Sequence, residues 1–144
     1  MVPKALSRAG WRRQVVRLLL IAFSTFPAAA EVPKALEVAQ QLVEAFNRHD
    51  PEAMAALVAN DFELYYVGDD GKASLALTGP EALEKEMTGY FEAVPNVESK
   101  ITDQVRGEAF VSFREQIVGG ASSLAVYEVR EGKIRRVWYY PAEP

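Results

Sequence analysis

The final third of this 144-residue sequence is typical of four consecutive β-strands separated by short turns. Apolar and polar residues alternate with the period of a strand over residues 97–105, 108–118, 122–130 and 133–140. Glycines in Gly119-Gly120 and Glu131-Gly132 fall where tight hairpins need them. Because strands linked by hairpins pair antiparallel, the chain is expected to fold around an antiparallel sheet.

Three helices and a hairpin are predicted ahead of those strands. Apolar residues from Leu36 to Phe46 recur at helical spacing, Asp50-Pro51 is typical of a second helix start, and Thr78-Gly79-Pro80-Glu81 matches a capping box that opens a third. Residues 61–67 and 73–77 alternate as two strands around a glycine-rich turn. The predicted order is ααββαββββ. Three helices cannot cover both faces of such a sheet, so we expect an α+β fold with the helices in the concave face of a strongly curved antiparallel or mixed sheet, which closes as a cone-shaped barrel.

Residues 1–30 have the layout of a secretory signal peptide, and residues 31–144 are the expected mature domain. Five basic residues precede the apolar run 18–26, and Ala28-x-Ala30 predicts cleavage before Glu31. That run is shorter than the roughly 20 residues that span a bilayer, which disfavours a transmembrane anchor. We therefore expect a periplasmic or secreted protein that contacts a membrane only if the leader is uncleaved. The pair Arg12-Arg13 leaves the choice between Sec and twin-arginine export open.

Composition excludes several classes of site and partner. Removing the leader's five positive charges from a chain of net charge −4 leaves the mature segment at −9, which makes nucleic acid an unexpected partner. The chain has no cysteine and a single histidine, His49, so it contains no disulfide, no thiolate zinc site and no histidine cluster for a metal. Neither a metal nor an organic cofactor is expected.

A family resemblance is carried by three stretches: residues 42–50 with 57–62, residues 78–83, and residues 126–134. They resemble, in that order, the opening, the start of the third helix and the last hairpin of the SnoaL-like domains of the nuclear transport factor 2-like superfamily. The resemblance covers essentially all of residues 34–141 and implies the cone-shaped fold. It does not imply one activity, because this fold carries isomerases, cyclases, dehydratases, hydrolases and non-enzymes.

Particular activities of that superfamily can be compared residue by residue. The base, the tyrosine and the oxyanion-hole aspartate of ketosteroid isomerases align with Tyr66, Leu42 and Ala125, so all three side chains are replaced. Scytalone dehydratases use two pocket histidines, whereas His49 is the only histidine and follows a helix. The Asp–Arg–Asp set of limonene epoxide hydrolases has no match. The nearest analogue of the aspartate base of SnoaL-type cyclases is a glutamate.

That glutamate is Glu115, which interrupts an apolar row on the predicted fourth strand. Ala109, Val111, Phe113 and Ile117 share its face, and the resemblance implies that this face lines the cavity. Burial there would raise the pKa of the carboxyl group toward neutrality, as a general acid or base requires. The alternative is a glutamate at the open rim, solvated or paired with an arginine.

Tyr66 is the second predicted catalytic residue, because it shares a strand face with Phe62 and Leu64. Its hydroxyl would donate a hydrogen bond to a ligand oxygen, or alternatively satisfy a backbone carbonyl. The predicted ligand-binding residues, some of which would also be core residues, are Leu42, Phe46, Phe62, Leu64, Met87, Tyr90, Phe91, Val111, Phe113, Tyr127, Arg135, Val137 and Tyr139.

Which side chains of the fifth strand face inward depends on the turn before it. The charges of Glu128 and Arg130 favour Tyr127 and Val129 facing inward, but a two-residue Gly119-Gly120 turn would turn Val126 inward instead. We predict the first arrangement, which needs a bulge or a three-residue turn.

The last strand is predicted to present different residues to its two faces. Arg135, Val137 and Tyr139 are expected inside, where Arg135 could neutralise Glu115 or hold an anionic ligand. Trp138 and Tyr140 are expected outside as an aromatic patch that forms a homodimer interface.

Three functional hypotheses follow. In the first, an exported SnoaL-like domain binds a small, largely apolar molecule in its cone, with any isomerase-, cyclase- or lyase-type acid–base chemistry at Glu115 and Tyr66, and with Tyr127 or Tyr139 as a further hydrogen-bond donor. In the second, the cone is filled and inert, and the domain is a non-catalytic binding or dimerisation module. The third, a structural partner of a membrane complex, rests on the leader alone. Burial of Glu115 beside a cavity favours the first, whereas an ion pair with an arginine favours the second.

Overall fold

In a computed structural model, which describes residues 34–142, the chain forms three helices and six strands in the predicted order. The elements are α1 (Ala35–Asn47), α2 (Pro51–Ala56), β1 (Val58–Val67), β2 (Ala73–Thr78), α3 (Pro80–Ala93), β3 (Ser99–Arg106), β4 (Phe110–Ile117), β5 (Ser122–Arg130) and β6 (Lys133–Pro141). The predicted leader lies outside the described residues. None of the described helices is long and apolar enough to cross a membrane.

The strands form one mixed sheet in the order β2-β1-β6-β5-β4-β3. All neighbours pair antiparallel except β1 and β6, which are parallel. The three helices pack on one face of this sheet, which confirms the predicted cone-shaped α+β fold. Ala39 of α1, Phe62 of β1 and Phe113 of β4 are fully buried between the two layers.

The turn between β4 and β5 decides which side chains face the helices. Gln116 pairs with Ser122, and the Ile117 amide donates to the Ala121 carbonyl at 3.1 Å, so the loop has three residues, Val118 to Gly120. Gly119 adopts φ +75°, which glycine tolerates best. This register turns Tyr127 and Val129 inward, and both are buried. The arrangement predicted from the charges of β5 is confirmed, with the three-residue turn that it requires.

Two predictions about side-chain placement are wrong. Glu128 pairs with Arg136 and Val129 pairs with Ile134, so Arg135 is the extra residue of a β-bulge. Ile134 and Val137 therefore both face the core, while Arg135 is displaced outward and forms an ion pair with Asp61. The other error concerns α3: Thr78 is still part of β2, and Gly79 occupies the N-cap position without a side-chain cap.

The outer face of the sheet has a charged half and an apolar half. Arg136 bonds to Glu63 at 2.8 Å and to Glu128 at 3.2 Å, and Arg130 also bonds to Glu128 at 2.8 Å. Further along the same face, Tyr65 stacks on Trp138 with ring centroids 6.0 Å apart. Trp138 and Tyr140 thus lie on the outer face, as predicted, and we call Tyr65, Leu124, Val126, Trp138 and Tyr140 the outer apolar patch.

Candidate functional site

Glu115 lies on the inner face of β4 with only 9% of its surface exposed. Its direct neighbours across the sheet are Ile101 of β3 and Ser123 of β5. The strand alternation that places Val111 and Phe113 in the core also carries the carboxyl group inward. A carboxyl group at this depth needs hydrogen-bond partners, because it has lost most of its water.

Hydroxyl groups supply those partners. Ser99 Oγ donates to Glu115 Oε1 at 2.8 Å, and the Tyr127 hydroxyl donates to Glu115 Oε2 over a longer distance of 3.5 Å. The hydroxyls of Tyr127 and Tyr139 are 3.1 Å apart and share a hydrogen bond. Three strands other than its own therefore contribute a hydroxyl to this cluster around one carboxyl group, and we call Ser99, Glu115, Tyr127 and Tyr139 the carboxyl cluster.

Burial and hydrogen bonding act in opposite directions on Glu115. Burial raises the pKa of its carboxyl group above the usual 4.5, and the hydroxyls of Ser99, Tyr139 and Tyr127 lower that pKa by stabilising the anion. Burial, reinforced by the charge of Glu115, raises the pKa of both Tyr127 and Tyr139 well above 10. Both tyrosines thus keep their protons near neutral pH and remain hydrogen-bond donors.

The arginines near the sheet pair with other carboxylates. Arg135 contacts Asp61, and Arg136 lies between Glu63 and Glu128 on the outer face. The expectation that Arg135 lies inside and can neutralise Glu115 is therefore wrong, because the bulge in β6 turns it away. Glu115 is held by neutral donors, a geometry that favours uptake and release of a proton over permanent charge pairing.

A cavity of about 490 Å³ opens beside the carboxyl cluster, where β1 and β6 end and β5 begins. The described residues that line it are uncharged: Tyr66, Val67, Gln116, Gly120, Ala121, Ser122, Ser123, Tyr139, Tyr140, Pro141 and Ala142. This volume falls within the range of about 300–1,000 Å³ that is common for small-molecule sites. Tyr139 belongs both to this lining and to the carboxyl cluster, so it connects the cavity with Glu115.

Tyr66 lies on the inner face of β1 but beyond the cover of the helices, with 58% of its surface exposed. Its ring stacks on Tyr139 with centroids 5.8 Å apart. Partial burial, together with the carboxylate charges of Glu86 and Glu115, raises the pKa of Tyr66. Tyr66 thus forms a wall of the cavity opening, and its hydroxyl is not part of the carboxyl cluster.

A second cavity of about 500 Å³ lies between β2 and α3. Its lining includes Leu77 of β2 and Lys85, Glu86 and Tyr90 of α3. Tyr90 also contacts the rings of Phe46 and Phe91, so it separates this cavity from the core.

The other predicted ligand-binding residues lie in the hydrophobic core. Leu42, Phe62, Leu64, Phe91, Val111, Phe113 and Val137 are buried there, and Phe46 and Met87 pack against it. Phe113 and Tyr127 are in ring contact at 5.0 Å, as are Phe46 and Phe91 at 5.2 Å. Aromatic rings thus fill the depth of the cone, and the open space lies toward its rim.

Ser99 and Asn47 are bonded to the candidate site, and the sequence patterns did not indicate either residue. Ser99 begins β3 and is 3% exposed, and its backbone is bonded to the side chain of Asn47 at the end of α1. One signal was available: a small polar residue stands on the inward face of a predicted strand. Within residues 34–142, no group of three or more histidine or acidic residues is arranged to hold a metal ion.

A family model of the SnoaL-like domain matches residues 39–137. The chain belongs to the SnoaL-like domain family. Among curated proteins, none matches this SnoaL-like chain.

Solved structures share the fold of this SnoaL-like domain. A cystatin-fold protein from Novosphingobium aromaticivorans is 19% identical with a TM-score of 0.63, over 74% of this chain and 97% of that one. A SnoaL-like protein of unknown function from Burkholderia thailandensis is 18% identical with a TM-score of 0.63, over 75% and 93%. A putative ketosteroid isomerase from Kribbella flavida is 18% identical with a TM-score of 0.57, over 75% and 77%. Identities this low establish the fold and leave the activity to the site.

Proposed function

We propose that this SnoaL-like domain binds a small, largely apolar, uncharged molecule in the cavity beside the carboxyl cluster. The observation that carries the proposal is the double position of Tyr139, which lines the cavity and bonds to Tyr127 and, through it, to Glu115. The rings of Tyr66, Tyr139 and Tyr140 offer apolar surface, and Gln116, Ser122 and Ser123 offer a few polar groups. That combination is common in sites for small apolar ligands.

The same arrangement supports acid–base chemistry of the isomerase, cyclase or lyase type. Tyr139 would donate a hydrogen bond to a ligand oxygen on which negative charge develops, and Tyr127 and Glu115 would stabilise the tyrosine behind it. Burial raises the pKa of Glu115, which makes its carboxylate a better proton acceptor than an exposed one. Glu115 acts in this scheme through Tyr127 and Tyr139, because it does not itself line the cavity. Tyr139 and Tyr66 are the members of the predicted site that do. Chemistry of this kind is consistent with the shared fold of the putative ketosteroid isomerase from Kribbella flavida.

Ligand retention tests the binding proposal. Native mass spectrometry of the protein purified from its own host should show added mass, and the ligand so identified supplies the assay. Tyr139→Phe should weaken its binding or turnover about tenfold, since one hydrogen bond to a charged or developing-charge group contributes about 1.5 kcal/mol or more. Tyr65→Phe, on the outer face, is the matched control and should behave as wild type. A ligand whose binding is indifferent to Tyr139→Phe would remove the basis of the proposal.

A non-catalytic binding module is the second candidate, favoured by the aromatic filling of the cone. Glu115→Gln separates the two. Loss of turnover with retained ligand binding indicates acid–base chemistry, and unchanged behaviour in both assays eliminates Glu115 as a catalytic group.

We also propose a homodimer formed through the outer apolar patch. Leu124 and Tyr140 are cross-strand neighbours, and they are 43% and 38% exposed. Contiguous exposed apolar surface of this kind is typical of interfaces. Light scattering should give twice the monomer mass for the wild type and the monomer mass for Tyr140→Lys. Val105→Lys, on the exposed edge strand β3, is the control and should stay dimeric; a monomeric wild type would refute the interface.

Export through a cleaved leader remains part of the proposed function. The basic segment, the apolar run and Ala28-x-Ala30 motivate it. The intact mass of the protein from the periplasmic or secreted fraction should correspond to a chain that starts at Glu31. A mass that retains residues 1–30 would indicate an uncleaved leader and a membrane tether.

A further inference from the structure

The end of α1 is bonded to the start of β3 through the side chain of Asn47. Its Nδ2 donates to the Ser99 carbonyl at 2.9 Å, and the Ser99 amide donates to its Oδ1 at 2.8 Å. Since β3 is an edge strand, this carboxamide pairs with backbone groups that no neighbouring strand reaches. The two bonds are those that a partner strand would make, and they fix the Ser99 backbone in both position and orientation.

His49, two residues after Asn47, adds a third bond on the same edge, to Val97, two residues before Ser99. Its Nε2 lies 2.9 Å from the Val97 carbonyl, which requires that this nitrogen carries the hydrogen. The imidazole ring is stacked on Phe91 with centroids 4.6 Å apart. Asn47 and His49 therefore hold alternate residues of the segment that enters β3, and we call these contacts the α1–β3 clamp.

Ser99 connects the clamp to the carboxyl cluster. Its side chain points from the clamped backbone to Glu115 Oε1, 2.8 Å away, and the residue is almost fully buried. A serine hydroxyl on a freely moving edge strand would lose this geometry, because hydrogen bonds weaken steeply with distance and angle. Three consecutive bonded groups thus lead from the surface of α1 to the buried carboxyl group.

We propose that Asn47 is a positioning residue for Glu115, holding Ser99 so that its hydroxyl is donated to the carboxyl group. The proposal rests on the proposed function in so far as Glu115 serves the cavity, but its consequence for Glu115 can be measured without a ligand. Asn47 itself does not touch the cavity; it acts through Ser99.

The test is the titration of Glu115, followed by carbon-13 NMR of its side-chain carboxyl in ligand-free protein. Ser99→Ala should raise the pKa of Glu115 by about one pH unit, because it removes a donor that stabilises the anion. Ser99→Thr retains the hydroxyl and should keep the wild-type pKa. The titratable groups that face Glu115, which are Tyr66 of β1, Tyr127 of β5 and Tyr139 of β6, are unchanged in every variant.

Asn47→Ala decides whether the effect comes from the clamp. It should raise the pKa of Glu115 in the wild-type background and cause no further rise when Ser99 is already alanine, since both changes remove the same hydrogen bond. Asn47→Gln, which stays uncharged and keeps the carboxamide on a side chain one methylene longer, should fall between Asn47→Ala and wild type and serves if the alanine variant is too unstable. Ser112→Ala, on the outer side of β4, is the control.

Two outcomes would overturn the proposal: an unchanged Glu115 pKa in Ser99→Ala, or an Asn47→Ala shift of the same size with and without the Ser99 hydroxyl. Failure to find a retained ligand would instead remove the proposed function while leaving these titrations intact. The two ideas can therefore fail separately.

Discussion

Replacing Glu115 with glutamine should change the free energy of unfolding more favourably at alkaline pH than at acid pH. Burial raises the pKa of Glu115 above 4.5, so the native chain retains a proton that the unfolded chain releases. The native state then binds more protons than the unfolded state between 4.5 and the folded pKa, and the free energy of unfolding decreases as pH rises through that window. Glutamine stays neutral and avoids the decrease.

The size of the effect follows from the pKa elevation. Each unit of elevation corresponds to about 1.4 kcal/mol of unfolding free energy, or roughly 5 °C in Tm for a domain of this size. At acid pH the glutamic acid and the glutamine are both neutral. Replacing one oxygen acceptor with a carboxamide donor beside Ser99 then leaves a pH-independent difference of about 1 kcal/mol between the free energies of unfolding of the two proteins. The pH dependence of the difference between wild type and Glu115→Gln therefore isolates the buried carboxyl group, because the other titrating groups are common to both.

Urea unfolding of both proteins from pH 4 to pH 9 measures this difference. Glu98→Gln, at an exposed position just before β3, corrects for the general effect of removing one negative charge. The reasoning is refuted if the two stability curves run parallel over the whole range, since Glu115 would then titrate alike in the folded and unfolded chains.

Three further predictions concern the fold and are checked by the same urea titration. Phe113→Ala should lower the free energy of unfolding by about 3–5 kcal/mol because the ring is fully buried. A decrease of less than about 1 kcal/mol would contradict its place in the core. Gly119→Ala should lower the free energy of unfolding by about 1 kcal/mol because Gly119 has φ +75°, even though a Cβ there meets no atom within 4 Å. Gly89→Ala, in open space on α3, is the contrast and should not destabilise the domain. Glu128→Gln should destabilise above pH 4.5 because the hydrogen bond from Arg130 lowers the pKa of Glu128, and its difference from wild type should shrink as pH falls through that lowered pKa; a constant difference would contradict the pairing.

The element order could be predicted because each helix and strand carries its own periodicity. Asp50 does accept the Ala53 amide at 3.0 Å, as its N-cap position suggested. Glu115 could be identified because it differs from the neighbours on its own strand face. The inward direction of Tyr127 followed from the charges beside it, and the three-residue turn then satisfies both strands.

What the patterns missed depends on contacts between distant segments. The bulge at Arg135 is set by the register between β5 and β6, and strict alternation within β6 gave the wrong face. Ser99 and Asn47 are 52 residues apart, so no local spacing relates them. The involvement of Tyr139 with both the cavity and Glu115 likewise requires the sheet to be assembled first.

The parallel pairing of β6 with β1 has a consequence for folding. The last of the described strands, β6, lies between β1 and β5, so the hairpin β1–β2 and the meander β3–β5 share no strand contact until β6 is in place. Completion of this sheet therefore requires β6 to insert between its two other parts. A stop codon placed before Lys133 would leave two unpaired strand edges exposed at once, and such a product should be found in aggregates or cleared by proteases.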